Sequence, residues 1–430
     1  MPDNNVAIWI LCSSFCGLLL LRFSVAMTLV ISTLLTMWYL DIPLIVAAQQ
    51  MVQGIINYSL LAIPFFILTG QILQEGGLAH NIVAMANVFV GRIRGGLAMA
   101  NSVACMIFGG MSGSAVADAS AVGSVMIPMM TKRGYAADYA VGVTISSAIQ
   151  GVVVPPSHNM VLYSIVAGGV SVSGLFLAGM IPGLLLLASL MITAYIIAIK
   201  RGFGIGEAIE RSKIPMILVH GLLSFTPAVI IVSAIISGWA TATEAGALAA
   251  MYAFILAFLV YRGSPISNMW NVLKRTFRTV LMVFFLIAAS NAFGWIMAYL
   301  NLPDLITDWF LAVSDKPWVI FLMINILLLL LGGPMDMAPM ILILTPVLLP
   351  VCVKLGMDPI QFGIIMIFNA GMGLLTPPVG TVLFVGCAIG KVSVADGTKA
   401  MLPFFYAMIV VLLLITYVPA FTMWLPTLMK

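Results

Sequence analysis

The chain has 430 residues, of which 63% are hydrophobic and only 7% charged, with a net charge of +4. A soluble domain carries about 25% charged residues, and the apolar stretches here reach the roughly 18 residues needed to cross a bilayer. Those stretches lack the two-residue alternation of a membrane barrel, so an all-α, polytopic membrane bundle is expected. The basic residues mark cytoplasmic loops, and no nucleic-acid partner is implied.

Spans are expected at 6–21, 24–40 and 55–74, followed by a short amphipathic piece at 78–91. Asp3 is the only charge before the first span, so it reads as a retained helix and not as a signal peptide. The element 96–130 is interrupted at Gly109–Ser114, and 137–170 at Gly151–Asn159, which contains Pro155-Pro156. Uninterrupted elements follow at 174–199, 214–236, 239–262 and 279–300. Then 317–354 is broken at Gly332–Asp336 and 359–390 at Gly373–Gly380, which contains Pro377-Pro378. A last helix covers 400–425. Residues 264–278, basic and carrying Trp270, read as a helix lying on the cytoplasmic membrane surface. Cys12, Cys16, Cys105, Cys352 and Cys387 fall in apolar segments without a CxxC pair and read as small core residues.

Two halves of this pattern match at an offset of 222. Gly332 falls on Gly110, Pro350 on Pro128, Gly373 on Gly151, Pro377-Pro378 on Pro155-Pro156, and Val392-Ser393-Val394 on Val170-Ser171-Val172. Arg92 and Arg94 precede the first interrupted element and Lys132-Arg133 follow it, so it enters and leaves on the cytoplasmic side as a re-entrant hairpin. Asp304, Asp308 and Asp315 precede the second, which therefore opens from the opposite face. Counting crossings gives about eleven transmembrane helices plus two hairpins in inverted repeats, with both termini outside. The division expected is 1–91 scaffold, 92–199 first repeat, 200–300 scaffold, and 301–430 second repeat with the last helix.

Broken backbone at membrane depth survives only where protein or a water-filled cavity covers it. Free carbonyls and hydroxyls suit Na⁺, and helix N-termini suit a carboxylate. Each hairpin is paired with a broken helix, which predicts two cation regions with one anionic substrate between them. In the first tip the ligands would be Ser112, Gly113 and Ser114; small residues there also simply let a hairpin turn. Asp118, one turn beyond, is an ionisable group in an apolar helix and so a functional candidate, or a brace for the tip. Asp336 holds the matching place in the second tip. After the first proline pair stand Ser157, His158 and Asn159, with Asn159 positioned for a substrate hydroxyl or for the tip backbone; Thr376 and Thr381 are the hydroxyls of the second break. Asn101, Ser102, Ser146, Ser147, Gln150 and Asn369 are weaker candidates. Glu244 reads as a brace at a helix interface or a link to a partner. No P-loop, HExxH or G-x-S-x-G occurs, and no enzyme activity or cofactor is expected.

The stretch Phe108–Met130 (FGGMSGSAVADASAVGSVMIPMM) resembles the signature of the large membrane subunit of TRAP transporters, the tripartite ATP-independent periplasmic family. Residues 63–73 (IPFFILTGQIL), 241–253 (TATEAGALAAMYA) and 375–380 (LTPPVG) resemble it too. The resemblance implies an elevator-type permease of the bacterial inner membrane, driven by Na⁺ as coupling ion. It also implies two partners, a small four-helix membrane subunit on a separate chain and a periplasmic substrate-binding protein. Carried over, Ser112–Ser114 with the break from Gly151 through Pro155 would form one sodium region. Gly332, Gly333 and Asp336 with Gly373 and Thr376 would form the other. The chain departs from the family at Ala242, usually proline, and at His158-Asn159, where dicarboxylate members more often carry an apolar residue. A polar pair there would suit a polyhydroxylated acid such as sialic acid. The competing expectation is a stand-alone sodium-coupled carboxylate carrier of related architecture.

Overall fold

Lipid offers no hydrogen-bond partners, so a chain this apolar must pair its N–H and C=O groups internally. The computed structural model describes residues 3–204, 210–377 and 379–428, and among these the chain forms helices and no strand. α1 (Asn4–Leu20) and α2 (Val25–Tyr39) pair antiparallel; α3 (Ile45–Ile55) meets a 3-10 turn and α4 (Ala62–Glu75) at a 61° bend. α5 (Ala79–Val90) leads to the first hairpin, α6 (Gly96–Ser112) and α7 (Ala115–Lys132). The broken helix follows as α8 (Ala137–Ala148), α9 (Gln150–Val153) and α10 (His158–Val166), bent by 49° at the break. Long helices come next: α11 (Val172–Lys200), α12 (Ile214–Ile236), α13 (Ala242–Phe254) extended by a π-helical turn Ile255–Val260, and α14 (Met269–Tyr299). α15 (Leu302–Val313) precedes the second hairpin, α16 (Pro317–Gly332) and α17 (Met337–Lys354). Its broken helix is α18 (Pro359–Gly373) and α19 (Thr381–Gly390), and α20 (Val394–Tyr417) and α21 (Ala420–Leu428) end the chain. Pro378, within the expected second break, lies outside the described residues.

The repeat is written into helix boundaries as well as residue types. α7 and α17 both span 18 residues and start at positions 222 apart; the starts of α8 and α18, and of α11 and α20, are also 222 apart, though those helices differ in length. The caps match too. Ser171 accepts a hydrogen bond from the Gly174 N–H, and Ser393 accepts one from the Asp396 N–H. Each hairpin's outer arm is tied to the following helix by a buried polar pair. In the first repeat Ser102 and Ser147 hydroxyls lie 2.8 Å apart, and in the second Asn369 Nδ2 donates to Asn325 Oδ1 at 2.8 Å. Gln150 and the Asn101–Thr144 pair extend the first of these seams. Ser102, Ser147, Gln150, Asn101 and Asn369 thus hold helices together, each such bond contributing about 0.6 kcal/mol within a membrane.

Several boundaries differ from expectation. α3 contains Gln49, Gln50 and Gln53, which read as a loop, yet it is a helix packed on α14. α15, with Pro303 in its first turn, and α21, which follows Pro419, are short and were not expected as separate helices. The surface helix 264–278 and the span 279–300 are largely one helix, α14. Composition changes at Arg278 because the environment changes, not because the chain breaks: there is no proline between Met269 and Tyr299. The first broken helix stays helical through Gly151 to Val153, so its break is shorter than expected. Among the described residues six helices are long and apolar enough to cross a membrane, or up to eight when each bent pair counts once, against the eleven expected. Glu244 caps its own helix: Thr241 Oγ1 accepts from the Glu244 N–H, and the Glu244 carboxylate accepts from the Thr241 N–H.

The hairpins reach their broken helices by glycine contacts. A Cβ placed on Gly151 would lie 2.7 Å from the Gly109 Cα and 2.0 Å from Asp118 Oδ2; one on Gly373 would lie 2.6 Å from the Gly332 Cα. Backbone thus crosses backbone in both repeats. Gly151→Ala is expected to cost about 1–3 kcal/mol through overpacking, read as a lower melting temperature of the purified protein. Gly17→Ala, whose Cβ meets nothing within 4 Å, should melt like the parent; equal melting of the two variants would disprove the close crossing.

Candidate functional site

Between the two crossings lies a cavity of ≈ 400 Å³. Its lining comes from both hairpin tips, from α10 at the first break, from Leu374 at the second, and from α4 and α14 across the gap. Helix starts dominate. Ser114, Ala115, Val116 and Ala117 are the N-cap and first turn of α7; His158 and Asn159 open α10; Asp336, Met337 and Ala338 open α17. Three helix N-termini, with their unsatisfied N–H groups and positive dipole ends, therefore converge on one space. Among the described residues no lysine or arginine lines it.

The first tip is shaped by Gly113, whose φ of +62° lets the chain turn between two helices. A Cβ there would sit 2.8 Å from His158 Nδ1. Asn159 Nδ2 donates to the Gly113 carbonyl at 3.1 Å, so its amide holds the tip backbone. Ser114 Oγ caps α7 by accepting from the Ala117 N–H, while Ser112 Oγ turns inward and donates to Asp118 Oδ1 at 2.5 Å. Asp118 is fully buried behind the tip against Gly109 and Gly151, outside the cavity lining; of its two functional readings, the geometry is that of a brace. Its Oδ2 has no hydrogen-bond partner.

Ser157 and Thr381 also stand outside the lining, each with a buried hydroxyl lacking a partner. Pro155 is not in the lining either: its carbonyl packs under Gly110, 3.0 Å from where a Cβ would stand. At the second tip Gly333 packs against Thr376 Oγ1 and the Pro377 carbonyl, and Thr376 Oγ1 donates to the Gly373 carbonyl at 2.8 Å. Asp336 caps α17 by accepting from the Met337 N–H, and it is exposed in the cavity. The structure thus joins tip one to break one and tip two to break two. It sets Ser112, Ser114, His158, Asn159 and Asp336 around one space and leaves Asp118, Ser157 and Thr381 behind its walls.

Sequence reasoning missed the opposite wall. Gly70, Gln71 and Gln74 of α4 and Thr279 of α14 line the cavity there, and Ser120 of α7 lines it from the tip side. Gly70 lets α4 approach the tip, since a Cβ there would lie 3.0 Å from the Ser112 Cα. Gln74 Nε2 lies 3.5 Å from Ser120 Oγ. The signal was present: two glutamines three residues apart in an otherwise apolar helix mark a polar lining.

Ser112→Ala leaves both Asp118 oxygens without a partner and is expected to destabilise by about 1–3 kcal/mol. Ser114→Ala loses an N-cap, about 1 kcal/mol. Thermal melting should rank them in that order; a Ser112→Ala protein as stable as the parent would remove Asp118 as the brace.

Residues 12–421 match the family model of the tripartite ATP-independent periplasmic transporter, DctM component. YgiK of Salmonella typhimurium is 42% identical over 90% of this chain and 89% of its own. The sialic acid TRAP transporter large permease SiaM of Vibrio cholerae is 40% identical, covering 89% of each chain. The C4-dicarboxylate TRAP transporter large permease DctM of Pseudomonas aeruginosa is 38% identical, covering 86% of each. Among solved structures, the YdaH transporter of Alcanivorax borkumensis superposes with a TM-score of 0.63 at 13% identity, over 86% of this chain and 87% of that one, a likeness of fold. With nearly its whole length matched, the chain belongs to the DctM component family, the large permease subunits of TRAP transporters.

Proposed function

We propose that the chain carries out sodium-coupled, ATP-independent uptake of a small organic acid anion across the inner membrane. The substrate is delivered by a periplasmic binding protein, and a separate small four-helix subunit sits beside the chain. The observation that carries this reading is the convergence of the α7, α10 and α17 N-termini on a cavity without lysine or arginine. Such a site holds a carboxylate by N–H groups and helix dipoles. The Asp336 carboxylate beside it favours a cation entering with the anion. Family membership supports secondary transport of organic acids, and the named relatives span sialic acid and C4-dicarboxylates. The polar groups of Gln71, Gln74 and His158 in the lining favour a hydroxylated acid of the sialic acid class, because a bare dicarboxylate would leave their hydrogen-bonding groups unmatched.

One sodium region would use the backbone and hydroxyls of Ser112–Ser114 with the break running from Gly151 through Pro155. The other would use Gly332, Gly333 and Asp336 with Gly373 and Thr376. The repeats are inverted, both termini are periplasmic, and 92–199 with 301–430 move as the transport part against the scaffold of 1–91 and 200–300. The cavity supports that division, since α4 and α14 form one wall and the tips form the other.

Uptake into ATP-free proteoliposomes with both partner proteins should follow an inward Na⁺ gradient, and uptake undiminished when K⁺ replaces Na⁺ would refute the coupling. Within that assay, Ser114→Ala and Asp336→Asn should each raise the Na⁺ concentration for half-maximal uptake several-fold, with Ser189→Ala at the parent value. Robust uptake by the chain alone would favour a stand-alone carrier instead. Cysteine labelling from outside should reach Asp315→Cys and miss Lys132→Cys; labelling of both from one side would refute the inversion.

A further inference from the structure

The offset of 222 also holds at the far end of each hairpin, in a corner where the turn between hairpin and broken helix meets the end of a long helix. In the first repeat Tyr139 Oη donates to the Ala194 carbonyl at 3.1 Å; in the second Gln361 Nε2 donates to the Thr416 carbonyl at 3.1 Å, both partners shifted by the offset. Gly134 and Gly356 make the matching turns with φ of +83° and +88°. One feature breaks the match. The chain leaving α11 turns back at Gly202, φ +69°, and sets the Phe203 ring centroid 4.5 Å from that of Tyr135 and 5.2 Å from that of Tyr139. The Gly204 carbonyl then accepts from the Gly95 N–H at 3.4 Å, so this segment also holds the start of α6.

Among the described residues no ring holds the place of Phe203 in the second corner. α11 ends at Lys200, whose counterpart is position 422, but α20 already ends at Tyr417. The chain turns at Pro419 into α21, which packs on α11 and α18. Met357 and Gln361 stand where Tyr135 and Tyr139 stand in the first repeat, and they border a cavity of ≈ 330 Å³ walled by Trp318, Phe321 and Tyr417. Trp318 and Tyr417 are exposed, so the cavity opens at the surface. The donors of its polar residues are spent within the chain: Gln361 Nε2 on the Ile415 and Thr416 carbonyls, the Thr416 hydroxyl on Leu412, and the Tyr417 hydroxyl on Trp318. Such a wall suits an apolar guest. Aromatic rings pair at centroid distances of about 4.5–7 Å, and apolar cavities of about 150 Å³ take up benzene.

We propose that the second corner is a binding seat for a small uncharged aromatic molecule, taken up in the place that Phe203 fills in the first repeat. The seat shares no lining residue with the central cavity, and it depends on the internal repeat and not on the transport function proposed above. A ring held against Trp318, Phe321 and Met357 fastens the start of α16 to the turn between α17 and α18. Phe203 and Gly204 do the same for the start of α6 and the turn between α7 and α8. The first hairpin thus carries in its own chain the brace that the second takes from a ligand.

The test uses the full chain in membranes, with the exposed Cys12 and Cys16 replaced by serine. Benzyl, hexyl and methyl methanethiosulfonates are the probes. Leu355→Cys lies in the lining of the second corner, and Leu20→Cys, on the exposed end of α1, is the reference for partitioning into lipid. The benzyl-to-methyl rate ratio should be several-fold higher at Leu355→Cys than at Leu20→Cys, and free benzyl alcohol should lower it. Equal ratios at the two positions overturn the proposal. A hexyl preference at Leu355→Cys as large as the benzyl one makes the cavity a seat for any apolar chain and overturns it too. Independently of labelling, benzyl alcohol should slow amide hydrogen exchange several-fold in residues 319–324 of the parent and leave the matching residues 97–102 unchanged; exchange unchanged at 319–324 overturns the proposal. Phe203→Ala should lower the melting temperature by several degrees, and a parent-like melt removes the analogy on which the seat rests.

Discussion

At Gly109 with Gly151, and again at Gly332 with Gly373, two backbones pass with no side chain between them, and the cavity exists because they do. A hairpin that stops halfway through a membrane leaves bare N–H and carbonyl groups at its tip. Lipid cannot cover them. The broken helix can, provided the two come within backbone distance, and only glycine permits that distance. Once the crossings are made, the helices restarting beyond them have a common place to point, and Ser114, His158 and Asp336 arrive around one space from three directions.

The polar side chains near the tips divide by direction. Ser112, Asp118 and Asn159 spend side-chain hydrogen bonds on fixing the tip, Ser112 and Asn159 at the edge of the space; Gln71, Gln74 and Thr279 come from the far wall and line that space. A tip fixed by hydrogen bonds keeps its N–H groups aimed, the preorganisation that the anion site proposed above would need. The opposite wall carries side chains on continuous helices and varies without disturbing the tip.

Much of this was legible in the residues. The offset of 222 between glycine and proline pairs gave two hairpins and two broken helices, and the helix starts repeat at that offset. The pairing of tip with break followed from the need to cover open backbone. What was not legible depended on direction. Asp118 sits one turn past the tip, and only the fold shows that it faces Gly109 and Gly151 instead of the cavity. Ser157 and His158 are neighbours in sequence, yet one is behind the wall and the other in it. Gln71 and Gln74 lie about 40 residues from the first tip, and a motif says nothing of what crosses the gap. α3 was missed because Gln49, Gln50 and Gln53, close together in sequence, read in one dimension as a loop.

The missing arginine has a further consequence, felt through the membrane voltage. A cavity that grips its anion with a fixed cation must carry that cation back when empty, against an interior-negative potential, at about 2.3 kcal/mol per 100 mV for a full crossing. In the cycle proposed above the grip is made of dipoles, which have no net charge to move. The one carboxylate in the lining, Asp336, would leave a negative interior when the empty carrier returned outward. On that reading the electric field speeds the return stroke instead of opposing it, and the resetting draws on the same potential that would pull a coupling cation in.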